Sequence, residues 1–181
     1  MKARCTWANT PDYETYHDEE WGTPLHGVAA MFERVSLEGF QSGLSWITIL
    51  RKRPAFRAAF GDFAPAAVAA FTDADVERLM ADTGIVRNRA KITATITNAK
   101  AVLAMDTPLD ELLWSFAPDP PRPPLKNWDD VPAITPESTA MAKALKRRGF
   151  AFVGPTTCYA LMQATGIVND HVPPCWRAPA R

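Results

Sequence analysis

Two cysteines and two histidines stand near opposite ends of the chain. Cys5 and His17 are separated by eleven residues, and His171 and Cys175 by three. Two thiolates and two imidazoles complete the tetrahedral coordination that Zn²⁺ prefers, and they leave no open position for a reactive water. The set therefore indicates one structural zinc ion per chain. The alternative is unrelated surface histidines and buried cysteines, because each pair alone is a weak pattern.

A zinc ion bound by this set would join the first and last segments of the chain. It would close a loop of nearly the whole sequence, and Asp170 could orient one of the ligands. The third cysteine, Cys158, lies among apolar residues and is predicted to be a small core residue. Three cysteines behind an N-terminus that shows no apolar signal-peptide core fit reduced thiols or metal ligands better than disulfides.

The N-terminal part of the chain also combines aromatic rings with one carboxylate. The rings are Trp7, Tyr13, Tyr16, Trp21 and Trp46. Glu38 follows Met31 and Val35 at helical spacing, so its carboxylate is expected on an apolar helix face. A buried acid needs a partner or a function, and ring faces beside a negative charge would suit a cationic base extruded from DNA. The alternative is a tryptophan-rich core in which Glu38 is hydrogen-bonded to the backbone.

The segment from residue 79 to residue 92, LMADTGIVRNRAKI, suggests a helix-hairpin-helix. Gly84 lies between two predicted helices and is followed by Arg87, Arg89 and Lys91. Backbone N–H groups at such a turn can hold a DNA phosphate without reading sequence, and nearby cations would add affinity. An ordinary helical turn with solvated basic side chains is the alternative, since the general motif prefers a second glycine where Val86 stands.

The elements that must position these residues are predicted to be helices. Helix-start patterns occur at Thr72, at Thr107 with Pro108, and at Thr135. Apolar residues recur at helical spacing, whereas alternating strand-like runs are nearly absent. The stretch APDPPRPP at 117–124 is predicted to be a surface loop or a hinge. The fold class is therefore predicted to be all-α.

Composition limits the classes of protein further. The chain has 181 residues and is 47% hydrophobic, which suffices for one sizeable core. Twenty basic residues balance twenty acidic ones, so any DNA-binding surface must be a local patch. The uncharged stretch from Gly39 to Leu50 is 12 residues long, below the roughly 18 that suggest a membrane span. We expect one compact cytoplasmic domain with no membrane segment.

Five stretches of the sequence together resemble the 3-methyladenine DNA glycosylase I family of the helix-hairpin-helix glycosylase superfamily. They are RCTWA from Arg4, YHDEEWG from Tyr16, SLEGFQSGLSWITIL from Ser36, GIVRNRAKI from Gly84 and KALKRRGFAFVGPTTCYALMQATGIVNDH from Lys143. The resemblance covers essentially the whole chain. It implies a single glycosylase domain over 1–181, with the helix-hairpin-helix at about 73–100 and zinc-binding termini at 1–21 and 166–181.

The resemblance also implies roles for individual residues. The structural zinc ligands would be Cys5, His17, His171 and Cys175, and the base pocket would be Trp7, Tyr13, Tyr16, Trp21, Glu38 and Trp46. The turn containing Gln41, Gly43 and Leu44 looks like the family's DNA-intruding loop, where Leu44 could fill the space left by an extruded nucleotide. A departure is Ala160, which stands where some relatives carry a serine near the pocket, and this could alter a base contact.

The expected activity is hydrolysis of the N-glycosidic bond of 3-methyladenine in alkylated double-stranded DNA, by a monomer. Glu38 is the candidate for base recognition and for electrostatic support of the reaction. No lysine occupies the matched pocket positions to form a Schiff base, so we expect a monofunctional enzyme without lyase activity. Two other classes remain open: a non-catalytic, zinc-stabilised DNA-binding module, and a zinc hydrolase in which Glu38 acts as the base.

Overall fold

The computed structural model of the chain describes residues 2–179. In this part of the chain the backbone forms nine α-helices and no strand, which confirms the all-α prediction. The helices are α1 Pro11–Glu19, α2 Val28–Gln41, α3 Trp46–Ala59, α4 Pro65–Ala69, α5 Asp73–Ala81, α6 Arg89–Leu103, α7 Leu109–Trp114, α8 Pro136–Arg147 and α9 Pro155–Ala164. Two single 3₁₀ turns, Gly61–Phe63 and Trp128–Asp130, lie in the connections.

The predicted helix starts are confirmed, with capping contacts that explain them. The Thr72 backbone N–H donates to the Asp75 carboxylate at 2.9 Å, which caps α5. At α8 the Thr135 side chain accepts from the backbone N–H of Ser138 at 3.1 Å. Such caps satisfy N–H groups that have no partner within the helix. Pro108 directly precedes α7.

Helix α2 is the centre of the fold and carries the candidate acid. It contacts α3, α6, α7 and α9, and every residue from 34 to 40 is buried. Burial of a whole helix circumference forces its polar side chains to find partners inside the protein. The Ser36 hydroxyl donates to the Phe32 carbonyl at 2.8 Å, and Arg34 donates to the Glu20 carboxylate.

The predicted hairpin segment consists of α5, a turn and α6. Asn88 caps α6, because its side chain accepts from the backbone N–H of Lys91 at 3.1 Å. Gly84 packs against α3 so closely that a Cβ atom there would lie 2.9 Å from the Cβ of Ala55. Only glycine fits this contact without movement of the neighbouring helix. A role of the segment in DNA binding stays a prediction.

The first and last described segments of the chain pack together. The Trp176 backbone N–H donates to the Ala3 carbonyl at 2.8 Å, and the Arg177 guanidinium donates to the His17 carbonyl at 2.9 Å. Residues 1, 180 and 181 of the predicted zinc-binding termini lie outside the described residues. None of the helices in 2–179 combines the length and the hydropathy that a bilayer crossing requires.

The proline-rich stretch 117–124 is a loop, as predicted. Arg122 ties it to the helical body, since its guanidinium donates to the Tyr159 hydroxyl at 2.7 Å and to the Asp170 carboxylate at 2.9 Å. Cys158 is buried on α9 in the main core, which confirms its prediction as a core residue.

Candidate functional site

One cavity of about 300 Å³ brings the predicted pocket residues together. Its lining includes Trp7, Tyr13, Tyr16, Trp21, Glu38 and Trp46, which are the six residues that the sequence placed in a base pocket. The other lining residues are Gln41, Trp128, Ala160, Gln163 and Ala164. A concave, largely aromatic site with a few polar groups is the usual form of a small-molecule pocket. We call it the aromatic cavity.

Glu38 is the acidic residue of the aromatic cavity. Its side chain is 5% exposed and accepts no hydrogen bond from the described residues. Burial raises the pKa of this carboxyl to about 8, and the nearby Arg34 guanidinium opposes the rise. Arg34 does not neutralise the acid directly, because it pairs with Glu20. Glu38 is therefore neither paired nor packed in solid interior.

Glu20 pairs with two cations on this side of the molecule, the buried Arg34 and the half-buried Arg53. Its carboxylate accepts from the Arg53 guanidinium at 2.6 and 2.7 Å and from Arg34. These hydrogen bonds lower the pKa of Glu20 to about 2 although its burial acts in the opposite direction. Because Glu20 takes up both guanidinium groups, Glu38 faces the cavity without an ion-pair partner.

The rings of the aromatic cavity pack mainly edge to face. The Trp7 ring lies 5.6 Å from that of Tyr13 and 5.1 Å from that of Trp21, in both cases edge to face, and Tyr16 lies 5.6 Å from Trp46. The indole nitrogens of Trp7 and Trp46 are buried without a hydrogen-bond partner. Unpaired buried donors are costly, so these two N–H groups are an energetic cost of the packing around the cavity.

The four predicted metal ligands form a second, separate cluster. The Cys5 sulfur lies 3.6 Å from His171 Nδ1, and the Cys175 sulfur lies 3.2 Å from His17 Nε2 and 3.5 Å from His171 Nδ1. All four ligand atoms lie within 4.8 Å of one another, and all four residues are buried. These separations fit one ion bound by two sulfurs and two nitrogens. We call this group the metal cluster.

The remaining ring nitrogens of the metal cluster have their own partners. His17 Nδ1 lies 2.8 Å from the Asp18 carboxylate, and His171 Nε2 lies 3.1 Å from the Trp21 carbonyl. Such partners fix which nitrogen faces a metal. Burial lowers the pKa of His17, lowers that of His171 to about 4 and raises that of the Cys5 thiol to about 12. A bound cation would compensate for ionising a thiol in this environment.

The suggestion that Asp170 orients a metal ligand is wrong. Its buried carboxylate accepts from Arg122, from the Tyr159 hydroxyl and from the Gln163 amide at 2.9 Å, and these contacts leave the histidines to other partners. Asp18 is instead the carboxylate that contacts one of the histidines, His17. Sequence reasoning missed this residue. Its place directly after His17 was the available signal.

The turn between α2 and α3, residues 42–45, lies at the surface beside the aromatic cavity. Its four residues are exposed, and Leu44 is 41% exposed although it is apolar. Gly43 adopts a φ of +80°, which glycine tolerates without steric cost. Gln41, at the end of α2, lines the cavity itself. The predicted intruding loop is thus adjacent to the predicted pocket.

Three of the four hairpin residues predicted to contact DNA are engaged within the protein. The Lys91 ammonium is buried and donates to the carbonyls of Phe40 at 2.8 Å and Ser42 at 2.5 Å. The Arg89 guanidinium pairs with Glu77 at 2.6 Å. The Gly84 backbone N–H donates to the Asp82 carboxylate at 2.8 Å.

These contacts show which groups of the hairpin already have partners within the protein, and DNA binding by this segment stays a prediction. Lys91 is not available to a phosphate, since its charge caps the C-terminal carbonyls of α2 and supports the α2–α3 turn. The Gly84 amide and Arg89 would have to leave their carboxylates first. Arg87 is exposed and makes no ion pair with the described residues, so it alone of the four is free for a phosphate.

Sequence reasoning missed Ala164 and two larger residues of the cavity. Trp128 lies in the connection before α8, its ring centre 6.3 Å from that of Trp21, and Gln163 reaches the cavity from α9. Neither carries a spacing signal, because each comes from an element far along the chain from the N-terminal aromatic group. A lone tryptophan in the polar stretch 126–130 was the only hint for the first.

The all-helical domain has an acidic, aromatic cavity of the kind that binds small molecules or bases, together with a separate metal cluster. Comparison with known proteins identifies its family. The family model for methyladenine glycosylase matches residues 6–178. DNA-3-methyladenine glycosylase 1 of Escherichia coli K12 is 49% identical over 177 residues, with 95% of each chain covered. The chain belongs to the methyladenine glycosylase family.

Two solved structures have the same fold. A crystal structure of 3-methyladenine DNA glycosylase I superimposes with a TM-score of 0.94 at 48% identity, covering 98% of this chain and 100% of the other. A single-residue variant of 3-methyladenine DNA glycosylase I in complex with 3-methyladenine superimposes with a TM-score of 0.91 at 33% identity, covering 98% of each chain. Nearly the whole chain therefore shares the architecture of this family.

Proposed function

We propose that the protein is a base-excision repair enzyme that hydrolyses the N-glycosidic bond of 3-methyladenine in alkylated double-stranded DNA. The observation that carries the proposal is Glu38, an unpaired buried carboxylate inside an aromatic cavity. The names of the relatives and the 3-methyladenine complex of one of them give the same substrate. A cavity of about 300 Å³ is of the size that a single purine requires.

The charge of the lesion explains why these residues are suited to it. Methylation at N3 gives the adenine a positive charge, and ring faces of Tyr16 and Trp46 together with the Glu38 carboxylate attract a cation. An unmodified neutral base lacks this attraction between opposite charges. Glu38 therefore serves both as the recognition residue and as the catalytic one.

The reaction needs little acid catalysis. When the glycosidic bond breaks, its electron pair goes to the cationic base, which leaves as neutral 3-methyladenine. Water adds to C1′ of the oxocarbenium-like sugar and loses a proton to solvent, which leaves an abasic site. Glu38 would stabilise the positive charge that passes from the base to the sugar. Because the described cavity lining holds no lysine to form a Schiff base, we infer a monofunctional glycosylase.

The base must leave the duplex to reach the cavity, at a cost of a few kcal/mol. Leu44 in the α2–α3 turn is placed to fill the vacated space, with Gln41 and Gly43 beside it. Arg87 at the hairpin would hold a phosphate. One chain contributes every cavity residue and every metal ligand, which supports a monomer as the functional unit.

We infer that the metal cluster binds one Zn²⁺. Cys5, His17, His171 and Cys175 offer the two sulfurs and two nitrogens that zinc prefers, and four protein ligands complete tetrahedral coordination. When bound, zinc would hold the two chain ends together. The same completeness argues against a zinc hydrolase with Glu38 as its base, since that mechanism needs an open position.

The test is chromatography of the bases that the metal-loaded protein releases from DNA treated with a methylating agent. We expect free 3-methyladenine, and no covalent adduct when borohydride is added. Specific binding of the methylated duplex without release of any base would instead identify the non-catalytic DNA-binding module. An adduct with borohydride would overturn the monofunctional assignment.

A further inference from the structure

The backbone of Phe152 has a strained conformation, and the packing of its side chain does not offset that strain. Its φ is +56°, a left-handed value that bulky side chains rarely adopt, and its side chain is 41% exposed. Phe63 offers a direct comparison, with a φ of +53°. The Phe63 ring is fully buried and stacks on that of Phe60 at 5.4 Å, so core packing offsets its strain. Phe152 gains no such burial.

A buried side chain holds the strained segment in place. The Asn98 amide on α6 accepts from the Ala151 backbone N–H at 2.8 Å and donates to the Ala151 carbonyl at 3.1 Å. This pair of hydrogen bonds fixes the residue directly before Phe152, and α9 begins three residues after it. Strain that the structure actively maintains in an exposed aromatic residue points to a function of that residue.

Phe152 lies between the two elements proposed to contact DNA. Gly39 lies on α2, two residues before Gln41. A Cβ atom at Gly39 would lie 3.5 Å from the Cβ of Phe152. On its other side Phe152 shares a small surface depression with Lys91, whose ammonium reaches the α2–α3 turn from the first turn of α6. Phe152 is therefore adjacent to the end of α2 that leads into the α2–α3 turn and to the first turn of α6.

The charge of the same connection suits a polyanion. The chain reaches Phe152 from Lys146 and Arg147 at the end of α8, and both are exposed. Cations of this kind attract DNA phosphates without sequence preference. Exposed apolar side chains and cations are the groups with which proteins hold unstacked nucleotides.

We propose that Phe152 is a second apolar DNA contact, which packs against a base or deoxyribose next to the extruded lesion while Leu44 fills the vacated space. The inference rests on the proposed function, because it requires a distorted duplex over the aromatic cavity. It adds a binding residue outside that cavity. The strained backbone presents the ring to the nucleic acid instead of to the core.

The experiment compares Phe152→Ala and Phe152→Gly with the wild type in binding a duplex that contains a tetrahydrofuran abasic analogue, by fluorescence anisotropy. Both variants lack the ring, so both should bind about tenfold more weakly. The glycine variant should melt at a higher temperature than the alanine variant, because glycine adopts a φ of +56° without strain. Leu103→Ala, an exposed apolar position at the far end of α6, is the control and should bind normally.

An affinity of both Phe152 variants within about threefold of the wild type would overturn the proposal, and a larger loss supports it. If the wild type self-associates and Phe152→Ala abolishes this while duplex binding is unchanged, the ring is a contact between copies of the chain and the DNA proposal is wrong. Release of 3-methyladenine by the wild type tests the proposed function separately. If the wild type releases 3-methyladenine and the Phe152 variants bind the duplex as tightly as the wild type does, the proposed function stands and the Phe152 proposal is wrong.

Discussion

The metal cluster and the aromatic cavity are both rich in polar atoms, but they differ in how those atoms are partnered. In the metal cluster the four ligand atoms face one another, and the outer ring nitrogens of His17 and His171 contact Asp18 and the Trp21 carbonyl. Around the cavity, the Glu38 carboxylate and the indole nitrogens of Trp7 and Trp46 form no hydrogen bond with any of residues 2–179. We therefore propose a structural role for the metal cluster, whose polar atoms face one another, and ligand binding for the cavity, whose polar groups are unpaired.

Trp21 connects the two sites physically. Its carbonyl contacts His171 of the metal cluster, and its ring lines the aromatic cavity beside Trp7. Loss of the metal should therefore disturb the cavity through this residue. The reverse does not follow, because a change in Glu38 touches no ligand of the metal. Substitutions in the two sites should consequently affect different properties.

The largest effect is expected from removing a metal ligand. Cys175→Ala should abolish stoichiometric metal binding and lower the free energy of unfolding by about 5 kcal/mol or more, since binding energy of a structural zinc is folding energy. Thermal unfolding and metal content measure this. Cys158→Ala is the matched control, because Cys158 is an equally buried thiol outside the cluster. It should keep its metal and lose only about 1–2 kcal/mol. Equal melting temperatures for the two variants would contradict the scaffold role.

Replacing the acid of the cavity should act on catalysis instead. Glu38→Gln keeps the shape but removes the charge, and kcat/KM for release of 3-methyladenine should fall about 100-fold. Glu137→Gln, in the first turn of α8 and outside the cavity lining, should have no effect. Full excision by the Glu38 variant would refute a need for the charge.

The same variant should be more stable than the wild type at neutral pH. The pKa of Glu38 is about 8 in the folded protein, above its ordinary value of 4.5. Its contribution to stability is therefore fully present below about pH 4.5 and is lost as the pH rises to about 8. Glu38→Gln removes this loss, so its free energy of unfolding at pH 7 should exceed that of the wild type by about 1–3 kcal/mol. A less stable variant would indicate that Glu38 is a structural residue.

A smaller effect is expected beside the metal cluster. Asp18→Asn weakens the contact that orients His17, so metal affinity should fall about 10- to 100-fold in competition with a chelator. Asp12 is the control residue: it lies on α1 like Asp18 but forms an exposed ion pair with Arg51. Asp12→Asn should bind metal normally. Unchanged affinity in the Asp18 variant would mean that the four ligands are held by the fold alone.

The sequence sufficed for the parts of this comparison that local patterns determine. Capping residues such as Thr72 and Thr135 mark helix starts whatever the tertiary structure, and the spacing of Glu38 from Val35 placed the acid on the buried face. Residue types and spacing made the members of the cavity and of the metal cluster candidates, and the family resemblance favoured these hypotheses over their alternatives, because the residues of each set are distant in sequence. The structure then brought both sets together.

The contacts that sequence reasoning missed have one physical cause: tertiary packing brings these residues together with partners that are distant in sequence. Lys91 reads as a surface cation in the sequence, yet the fold turns it toward the Phe40 and Ser42 carbonyls. Arg89 meets Glu77, and Asp170 meets Tyr159 instead of a histidine. Trp128 enters the cavity from a loop whose path no periodicity determines.

The central claim is that ionised Glu38 holds a cationic base in a cavity for which the metal is only scaffold. The most direct test is the pH dependence of kcat/KM for release of 3-methyladenine, which reports the pKa of the essential group in the free enzyme. Because the pKa of Glu38 is about 8, the wild-type value should rise from about pH 6 and level off above about pH 8, and Glu38→Gln should lack this rise. A rise of the same size in both proteins, or none in the wild type, would contradict the account.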